Sequence, residues 1–240
     1  MIISIHGLRE GTGSSFLAAN LAQILSESKP VALVSTSPSP GTFETYWGLP
    51  LTGTRSWVRQ LESARPITDA AVRADHGFPV LLPCGDAQMP DDCDGLARKL
   101  LSTLNAQAFG CTIIDAGACG SRRDESFCAL SDIVVCVLEP DHDSLLRLDR
   151  YQPLDNEVFV LNKVVPGSTV GYRLTSYLET EPRFIGKLIT PVLPLDEAAR
   201  ESGFLMTRVT KSAPQSAVSQ TIRSCTQSLL VAADRLGRQR

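Results

Sequence analysis

Residues 2–26 read IISIHGLREGTGSSFLAANLAQILS, and this stretch decides the fold. It opens with an apolar run, residues 2–5, of a kind typical of a buried strand. It closes with apolar residues at helical spacing, which predict a helix over about residues 15–26. The glycine-rich turn between them directs several backbone N–H groups, together with the positive end of the helix dipole, at one spot. The stretch therefore predicts a place that suits a phosphate group.

The turn keeps only part of the usual P-loop pattern. That pattern is G-x-x-x-x-G-K-[ST], in which the lysine contacts the β- and γ-phosphates and the hydroxyl binds Mg²⁺. Here Leu8 takes the first glycine's place, Gly13 is the last glycine, Ser14 replaces the lysine and Ser15 supplies the hydroxyl. The second half of the pattern is present, but the lysine that carries its main positive charge is missing. The alternative to a phosphate-binding turn is therefore a glycine-rich connection that binds no ligand.

The composition is that of an ordinary soluble protein of 240 residues, with 43% hydrophobic and 20% charged residues. The net charge of −3 gives no general attraction to nucleic acid. The seven cysteines include no C-x-x-C pair and few histidines accompany them, which favours reduced thiols over a disulfide framework or a metal site. No stretch approaches the ~20 apolar residues of a membrane-spanning helix, so we expect a cytoplasmic protein.

Apolar runs alternate with helical patterns along the rest of the chain. The predicted strands cover residues 30–35, 78–83, 111–114, 133–138 and 157–161, and the predicted helices cover residues 55–62, 67–73, 91–104, 171–178 and 215–236. Such alternation is typical of βαβ units. We therefore expect one α/β domain over residues 1–240, with a mostly parallel sheet of seven or eight strands and helices on both faces.

Two polar residues follow predicted strands, where open α/β sheets bind their ligands, and one rigid residue, Pro194, lies in a turn between the last two predicted helices. Asp115 is placed to hold Mg²⁺ through water, or else to cap the next turn. Asn162 offers an amide that reads the edge of a base, or it only forms a turn. Pro194 lays a flat apolar ring against adenine, or it only interrupts the chain.

The order of these features resembles the MinD/ParA family of deviant Walker ATPases over nearly the whole chain. Within that family the chain looks most like the BcsQ members, which serve cellulose secretion. The resemblance is carried by residues 55–59 (RSWVR), 81–85 (LLPCG), 113–115 (IID), 130–132 (LSD) and 193–198 (LPLDEA). It implies a P-loop NTPase-like fold of the MinD/ParA type.

The resemblance also implies site residues and shows where this chain departs from the family pattern K-G-G-x-G-K-[ST]-[ST]. Arg9 stands where a signature lysine reaches across a dimer to the partner's phosphates, and Glu10 replaces a glycine beside the cradle. Ser35 and Ser37 stand where the family has two aspartates that position water and Mg²⁺. The nucleotide-binding residues implied are Arg9, Gly11, Thr12, Gly13, Ser14, Ser15, Phe16, Asn162 and Pro194, with Ser15 and Asp115 on the metal.

The missing lysine and aspartates predict very slow or absent hydrolysis, because a positioned cation on the transferring phosphoryl group is worth several kcal/mol. No residue is assigned a catalytic role. The backbone donors of the turn remain, so we expect ATP or ADP and Mg²⁺ to bind. The alternatives are an active ATPase that positions cargo in division or partition, and an interaction module that binds no nucleotide.

The implied function is a regulatory or scaffolding subunit of bacterial cellulose synthesis and secretion. The implied partners are a second copy of the chain, small cytoplasmic subunits of the BcsR and BcsE type, and the cellulose synthase, with no nucleic acid. We expect a cytoplasmic protein that reaches the inner membrane peripherally, through partners. The last helix is apolar on one face, which we interpret as core packing and not as a membrane-surface helix.

Overall fold

The computed structural model describes residues 1–36, 46–48, 56–63, 65–73, 79–81, 93–107 and 109–237. In this part of the chain seven strands form one sheet in the order β3-β4-β2-β5-β1-β6-β7. The strands are β1 Ile2–Gly7, β2 Val31–Ser35, β3 Ala71–Arg73, β4 Pro79–Leu81, β5 Cys111–Ala118, β6 Ile133–Leu138 and β7 Glu157–Leu161.

Helices connect these strands and cover the sheet. They are α1 Ser14–Ser26, α2 Trp57–Glu62, α3 Cys93–Ala106, α4 Arg122–Ala129, α5 His142–Arg150, α6 Thr169–Thr180, α7 Glu197–Phe204, α8 Val209–Ser212 and α9 Ala217–Gly237. A short 3₁₀ helix, Ile67–Ala70, precedes β3.

The sheet is parallel except at one edge, which confirms the predicted fold class. Strand β1 pairs in parallel with β5 on one side and β6 on the other, and only β3 runs antiparallel, against β4. Strands β2, β6 and β7 are buried along their whole length, as expected for strands covered on both faces. The carboxyl ends of β1, β5 and β7 therefore lie at one edge of the sheet. The glycine-rich turn follows β1 there, Asn162 follows β7, and Asp115 lies near the end of β5.

Helices pack on both faces of the sheet. On one face, α1 and α9 bury a core with the side chains of Ile3 and Ile5. On the other face, Trp57 of α2 packs with α3 and with Phe127 of α4, while Leu148 and Leu174 extend a third cluster beneath β6 and β7. The central strand β1 thus sends Ser4 and His6 toward the face opposite α1.

The structure corrects part of the predicted helix over residues 67–73. Residues 67–70 form a 3₁₀ turn, whereas Ala71–Arg73 form strand β3. Pairing at the edge of the sheet explains the difference, since Val72 lies opposite Val80 of β4 and a local pattern does not reveal a distant partner. Helices α4 and α5 were not predicted, because few apolar residues mark their buried faces.

The last helix packs in the core, as the sequence indicates. Val218, Ile222, Cys225 and Leu229 of α9 are buried against the cluster that contains α1. Arg238 and Arg240, which follow α9 in the sequence, lie outside the described residues. Among the helices that the structure describes, none is both long and apolar enough to cross a membrane.

Candidate nucleotide site

The turn between β1 and α1 adopts a backbone that glycine permits. Gly11 has φ +82° and Gly13 has φ +98°, both in the left-handed region that favours glycine. Gly13 is also the N-cap of α1, and it has no side chain to accept a hydrogen bond from the first turn of the helix. The N–H groups of that turn are therefore open to an anionic ligand.

Two residues that follow β7 brace this turn from the other side. Asn162 Nδ2 donates to the carbonyl of Thr12 at 2.8 Å, and Lys163 Nζ donates to the carbonyl of Gly11 at 2.7 Å. A Cβ added at Gly13 would lie 2.3 Å from Asn162 Nδ2, so the close approach requires glycine. The structure thus brings the predicted residues Gly13 and Asn162 into contact.

Ser15 and Asp115 form the predicted pair, although 100 residues separate them. Ser15 Oγ donates to Asp115 Oδ2 at 2.6 Å, and Asp115 is buried at the end of the apolar part of β5. A hydroxyl and a carboxylate are hard oxygen donors of the kind that Mg²⁺ prefers. The two residues fit a Mg²⁺ site in which water and phosphate oxygens complete the coordination.

A cavity of about 570 Å³ opens beside the turn. Its size lies within the range of small-molecule sites. Most of the predicted nucleotide residues line it. The lining residues are Gly11, Gly13, Ser14, Ser15, Phe16, Tyr46, Asn162, Lys163, Pro194, Leu195, Asp196, Ala199, Arg200 and Val218.

The cavity combines an apolar wall with a polar floor. Phe16 packs edge-on against Tyr46 with ring centroids 5.8 Å apart, and Pro194 faces the same space. Burial, with the Asp115 carboxylate as a second cause, raises the pKa of the Tyr46 hydroxyl, so it stays neutral at physiological pH. The arrangement suits a ligand with a flat apolar part and an anionic part.

Arg9 lies outside the lining of this cavity. Its guanidinium contacts three carboxylates, with Glu139 at 3.0 Å, Asp141 in a short hydrogen bond and Asp143 at 3.6 Å. Burial raises the pKa of Asp141, but the Ser144 N–H and the Arg9 guanidinium outweigh it and hold the pKa below its usual value. The Arg9 side chain therefore stays out of the cavity of its own chain, while its Nη1 donates to the Glu10 carbonyl at 2.9 Å within the turn.

Glu10 places a carboxylate in the turn, which would repel an anionic ligand if it faced the cavity. It is exposed and does not line the cavity. Its carboxylate therefore leaves the cradle open. Thr12 is buried, with its hydroxyl donating to the Arg9 carbonyl at 3.2 Å, so this residue supports the turn.

The positions of the two missing aspartates are only partly described. Ser35 is buried at the end of β2, where its carbonyl accepts a hydrogen bond from Trp57 Nε1 at 3.0 Å. Ser37 lies outside the described residues. A hydroxyl at position 35 cannot act as the carboxylate it replaces.

Sequence reasoning did not assign Tyr46, Lys163, Asp196 or Arg200 to the cavity. Lys163 is next to Asn162 and follows the predicted strand 157–161, so its position in the sequence could have indicated a place at the site. Asp196 belongs to the L-P-x-D turn, which was singled out without a role for its carboxylate. Tyr46 is brought to the site only by the fold, and no local pattern marks it.

These features match a known family. The family model described as cellulose biosynthesis protein BcsQ matches residues 1–230. The chain belongs to the BcsQ family. No curated protein matches the chain in a sequence search.

Solved structures place this BcsQ-family chain in the MinD/ParA fold. A ParA family ATPase from Chlorobium tepidum TLS has a TM-score of 0.76 at 21% identity, covering 94% of this chain and 97% of that one. MinD in a MinC:MinD cell division complex from Aquifex aeolicus gives 0.78 at 17% identity, with 96% and 95% covered. MinD from Pyrococcus horikoshii OT3, complexed with Mg-ADP, gives 0.71 at 17% identity, with 95% and 96% covered. At these identities the likeness establishes the fold.

Proposed function

We propose that this BcsQ-family protein is a regulatory or scaffolding subunit of bacterial cellulose synthesis and secretion that binds ATP or ADP with Mg²⁺ and hydrolyses it weakly or not at all. The observation that carries the proposal is the open phosphate turn, where Gly13 begins α1 above the Ser15–Asp115 pair at the wall of the cavity. The family supplies the cellulose context.

Binding is supported by groups that do not depend on the missing lysine. The first-turn N–H groups of α1 would hold phosphate oxygens, while Ser15 and Asp115 would hold Mg²⁺, which neutralises phosphate charge when bound. Asn162 and Pro194 would contact the base. The structural relative MinD from Pyrococcus horikoshii is complexed with Mg-ADP, which makes the same ligand class a sound choice here.

Weak hydrolysis is supported by two missing groups: the ammonium group that Ser14 replaces and the carboxylate that Ser35 replaces. Cationic groups on the transferring phosphoryl are worth roughly 10³ to 10⁵ in rate. Ser14 supplies none, and Ser35 has no carboxylate to orient a nucleophilic water. Bound nucleotide would then act as a structural ligand or a slow switch.

We also infer that residues 1–240 form one domain that acts as a homodimer. Its partners would be cytoplasmic subunits of the BcsR and BcsE type and the cellulose synthase, so that the protein meets the inner membrane only through them. The MinC:MinD complex shows that a protein of this fold binds a protein partner.

Isothermal titration calorimetry with ATP and ADP plus Mg²⁺, combined with a phosphate-release assay, tests the proposal. We expect one nucleotide per chain and phosphate release close to the uncatalysed background. Ser14→Lys is the matched variant, because it restores the missing cation in the cavity. It should tighten ATP binding by about tenfold or more, since a charge-assisted hydrogen bond is worth about 1.5–3 kcal/mol.

Each outcome decides between the candidates. An absence of heat with both nucleotides would leave a nucleotide-free interaction module. Phosphate release at several turnovers per minute would instead favour a working positioning ATPase. Hydrolysis that remains at background in Ser14→Lys would show that the missing carboxylates, and not only the missing lysine, limit the reaction.

A further inference from the structure

A second cluster of polar side chains lies on the opposite face of β1 from α1. His6 is buried between two carboxylates, with Nδ1 at 2.8 Å from Asp124 Oδ1 and Nε2 at 2.8 Å from Glu157 Oε1. Cys128, which is also buried, lies one helical turn after Asp124 on α4. The nucleotide site uses none of these groups.

The two carboxylates pose a problem for a neutral imidazole. A neutral ring has one N–H donor and one lone pair, so it can donate to only one of two carboxylate oxygens. The other nitrogen would then face an oxygen lone pair at 2.8 Å, which is repulsive. A second proton, on that nitrogen or on the facing carboxyl group, or a metal ion on that nitrogen removes this repulsion.

Glu157 is held in place by two donors besides His6. Its Oε1 accepts from Tyr151 Oη at 2.6 Å and its Oε2 accepts from the Leu154 N–H at 2.9 Å, which hold the carboxylate in place. A metal-binding histidine commonly donates its other ring N–H to such a carboxylate. We therefore assign Nε2 as the donor to Glu157 and Nδ1 as the ligand.

The three atoms on the Nδ1 side have the spacing of a metal site. His6 Nδ1 and Asp124 Oδ1 are 2.8 Å apart, Cys128 Sγ and Asp124 Oδ1 are 3.2 Å apart, and Cys128 Sγ and His6 Nδ1 are 3.9 Å apart. A point at about 2.0 Å from all three atoms exists, close to the Zn–N and Zn–O distances of about 2.0–2.2 Å and somewhat short of Zn–S at about 2.3 Å.

We propose that His6 Nδ1, Asp124 Oδ1 and Cys128 Sγ bind a divalent transition metal ion of the zinc class, with Glu157 orienting the imidazole. The nitrogen, oxygen and thiolate donors suit such an ion, and a fourth ligand would be water. Binding displaces the Cys128 thiol proton and the proton on Nδ1. The ion with Asp124 and a Cys128 thiolate is then neutral, so the buried ligand set carries no net charge.

A surface groove lies next to this cluster. It has a volume of about 590 Å³, and Cys119, Gly120 and Tyr151 belong to its lining. The Gly120 N–H donates to Asp124 Oδ2 at 3.2 Å, and Tyr151 contacts Glu157, so the wall of the groove reaches both carboxylates. Exposed Arg147 and Asp143 border its mouth. The groove therefore lies one residue away from the buried ligands, which are themselves outside its lining.

Cobalt substitution tests the site in the full-length protein. After removal of metal with a chelator, one equivalent of Co²⁺ should produce tetrahedral d–d absorption and a thiolate-to-cobalt charge-transfer band. Equimolar Zn²⁺ should abolish both signals and raise the melting temperature by about 5–10 °C at saturation. Cys128→Ser should remove the charge-transfer band, and His6→Asn should weaken metal binding at least tenfold.

Two controls separate this site from other thiols and from the nucleotide site. Cys93→Ser removes a partly exposed thiol on α3, and Ser15→Ala alters the nucleotide site; both should keep the full cobalt spectrum. If Cys128→Ser fails to fold, Asp124→Asn provides the second test, with circular dichroism to confirm folding. A wild-type protein without the charge-transfer band, or a band that persists in folded Cys128→Ser, overturns the proposal.

Discussion

At the residue scale, Gly13 combines two demands that only glycine meets. Its φ is +98°, and a Cβ there would lie 2.3 Å from Asn162 Nδ2. Gly13→Ala should therefore lower the free energy of unfolding by about 3 kcal/mol, from backbone strain and the steric clash together. It should also abolish nucleotide binding, because the turn must shift. Urea unfolding and calorimetry measure the two effects.

Gly167 provides the matched control for this prediction. It has φ +75°, but an added Cβ would meet nothing within 4 Å. Gly167→Ala should thus cost only about 1 kcal/mol, from strain alone, and leave nucleotide affinity unchanged. Equal losses of stability in the two variants would show that Asn162 yields to the methyl group.

Lys163 is a cation beside the phosphate turn, which lacks its usual lysine. Its ammonium donates to the Gly11 carbonyl at 2.7 Å and pairs with Glu139 at 3.0 Å. Lys163→Met keeps much of the side-chain volume but removes both the charge and the brace, so nucleotide affinity should fall by about fivefold to thirtyfold, the equivalent of about 1–2 kcal/mol.

Comparing ADP with ATP separates the two roles of Lys163. If bracing dominates, Lys163→Met should weaken ADP and ATP equally. A loss confined to ATP would show that the ammonium acts on the terminal phosphate. An unchanged affinity for both nucleotides would mean that the turn holds its shape without the brace, with Lys211→Met on α8 as the control for general loss of charge.

At the element scale, Asp196 joins two helices that border the cavity. Its Oδ1 accepts from the Ala198 N–H at 2.9 Å as the N-cap of α7, and its Oδ2 accepts from the Val218 N–H at 3.0 Å in the first turn of α9. Asp196→Ala leaves two helix N-termini without this acceptor. The free energy of unfolding should therefore drop by about 2–3 kcal/mol in urea titrations.

Ser168 is the control, because it caps a single helix. Its side chain accepts from the Gly171 N–H at the start of α6, so Ser168→Ala should cost about 1 kcal/mol. Asp196→Asn keeps one carbonyl acceptor and should fall between the two. A loss in Asp196→Ala no greater than that of Ser168→Ala would mean that the contact with α9 contributes nothing.

The elements also show which parts of the fold the sequence reveals. Strand β1 and helix α1 are read directly from residues 2–26, because both are strongly apolar and a glycine turn separates them. Helix α5 contains only one buried leucine, Leu148, so its period is weak. Strand β3 has three residues and exists through its pairing with β4, which no local pattern records.

For the whole molecule, the sequence predicts contacts between residues at the carboxyl edge of the parallel sheet. It does not predict contacts between side chains on one face of the sheet and the helix that covers that face. Ser15 and Asp115 meet because β1 and β5 are neighbouring parallel strands: Ser15 lies in the first turn of the helix after β1, and Asp115 follows the apolar part of β5. The sequence already marks Ser15 as part of the turn before a helix and Asp115 as the end of an apolar run. His6 meets Asp124 and Glu157, which lie 118 and 151 residues away in the sequence, because α4 packs on β1 and β7 lies two strands from β1 in the sheet. The residue types alone do not predict these contacts.

At the scale of the whole molecule, we predict that the protein forms a dimer when nucleotide is bound. Substitution of Arg9 tests this prediction. The family resemblance assigns Arg9 to the partner's phosphates, and the structure keeps it out of the cavity of its own chain. Arg9→Ala should thus leave the nucleotide affinity of the monomer within about threefold, since no contact in the cavity is lost. It should lower the fraction of nucleotide-bound dimer, measured by light scattering against the 25.9 kDa monomer.

Arg147→Ala makes this test specific, because it removes the same charge from the same acidic surroundings. Arg147 pairs with Asp143 at 2.8 Å, and Asp143 is also a partner of Arg9. If Arg9 bridges to a second chain, Arg147→Ala should still dimerise with nucleotide while Arg9→Ala does not. Dimers that persist in Arg9→Ala would exclude the bridge. A loss of nucleotide affinity in the Arg9→Ala monomer would instead show that Arg9 binds the phosphates of the nucleotide in its own chain. Arg9 would then leave its ion pairs with Glu139, Asp141 and Asp143 when nucleotide binds.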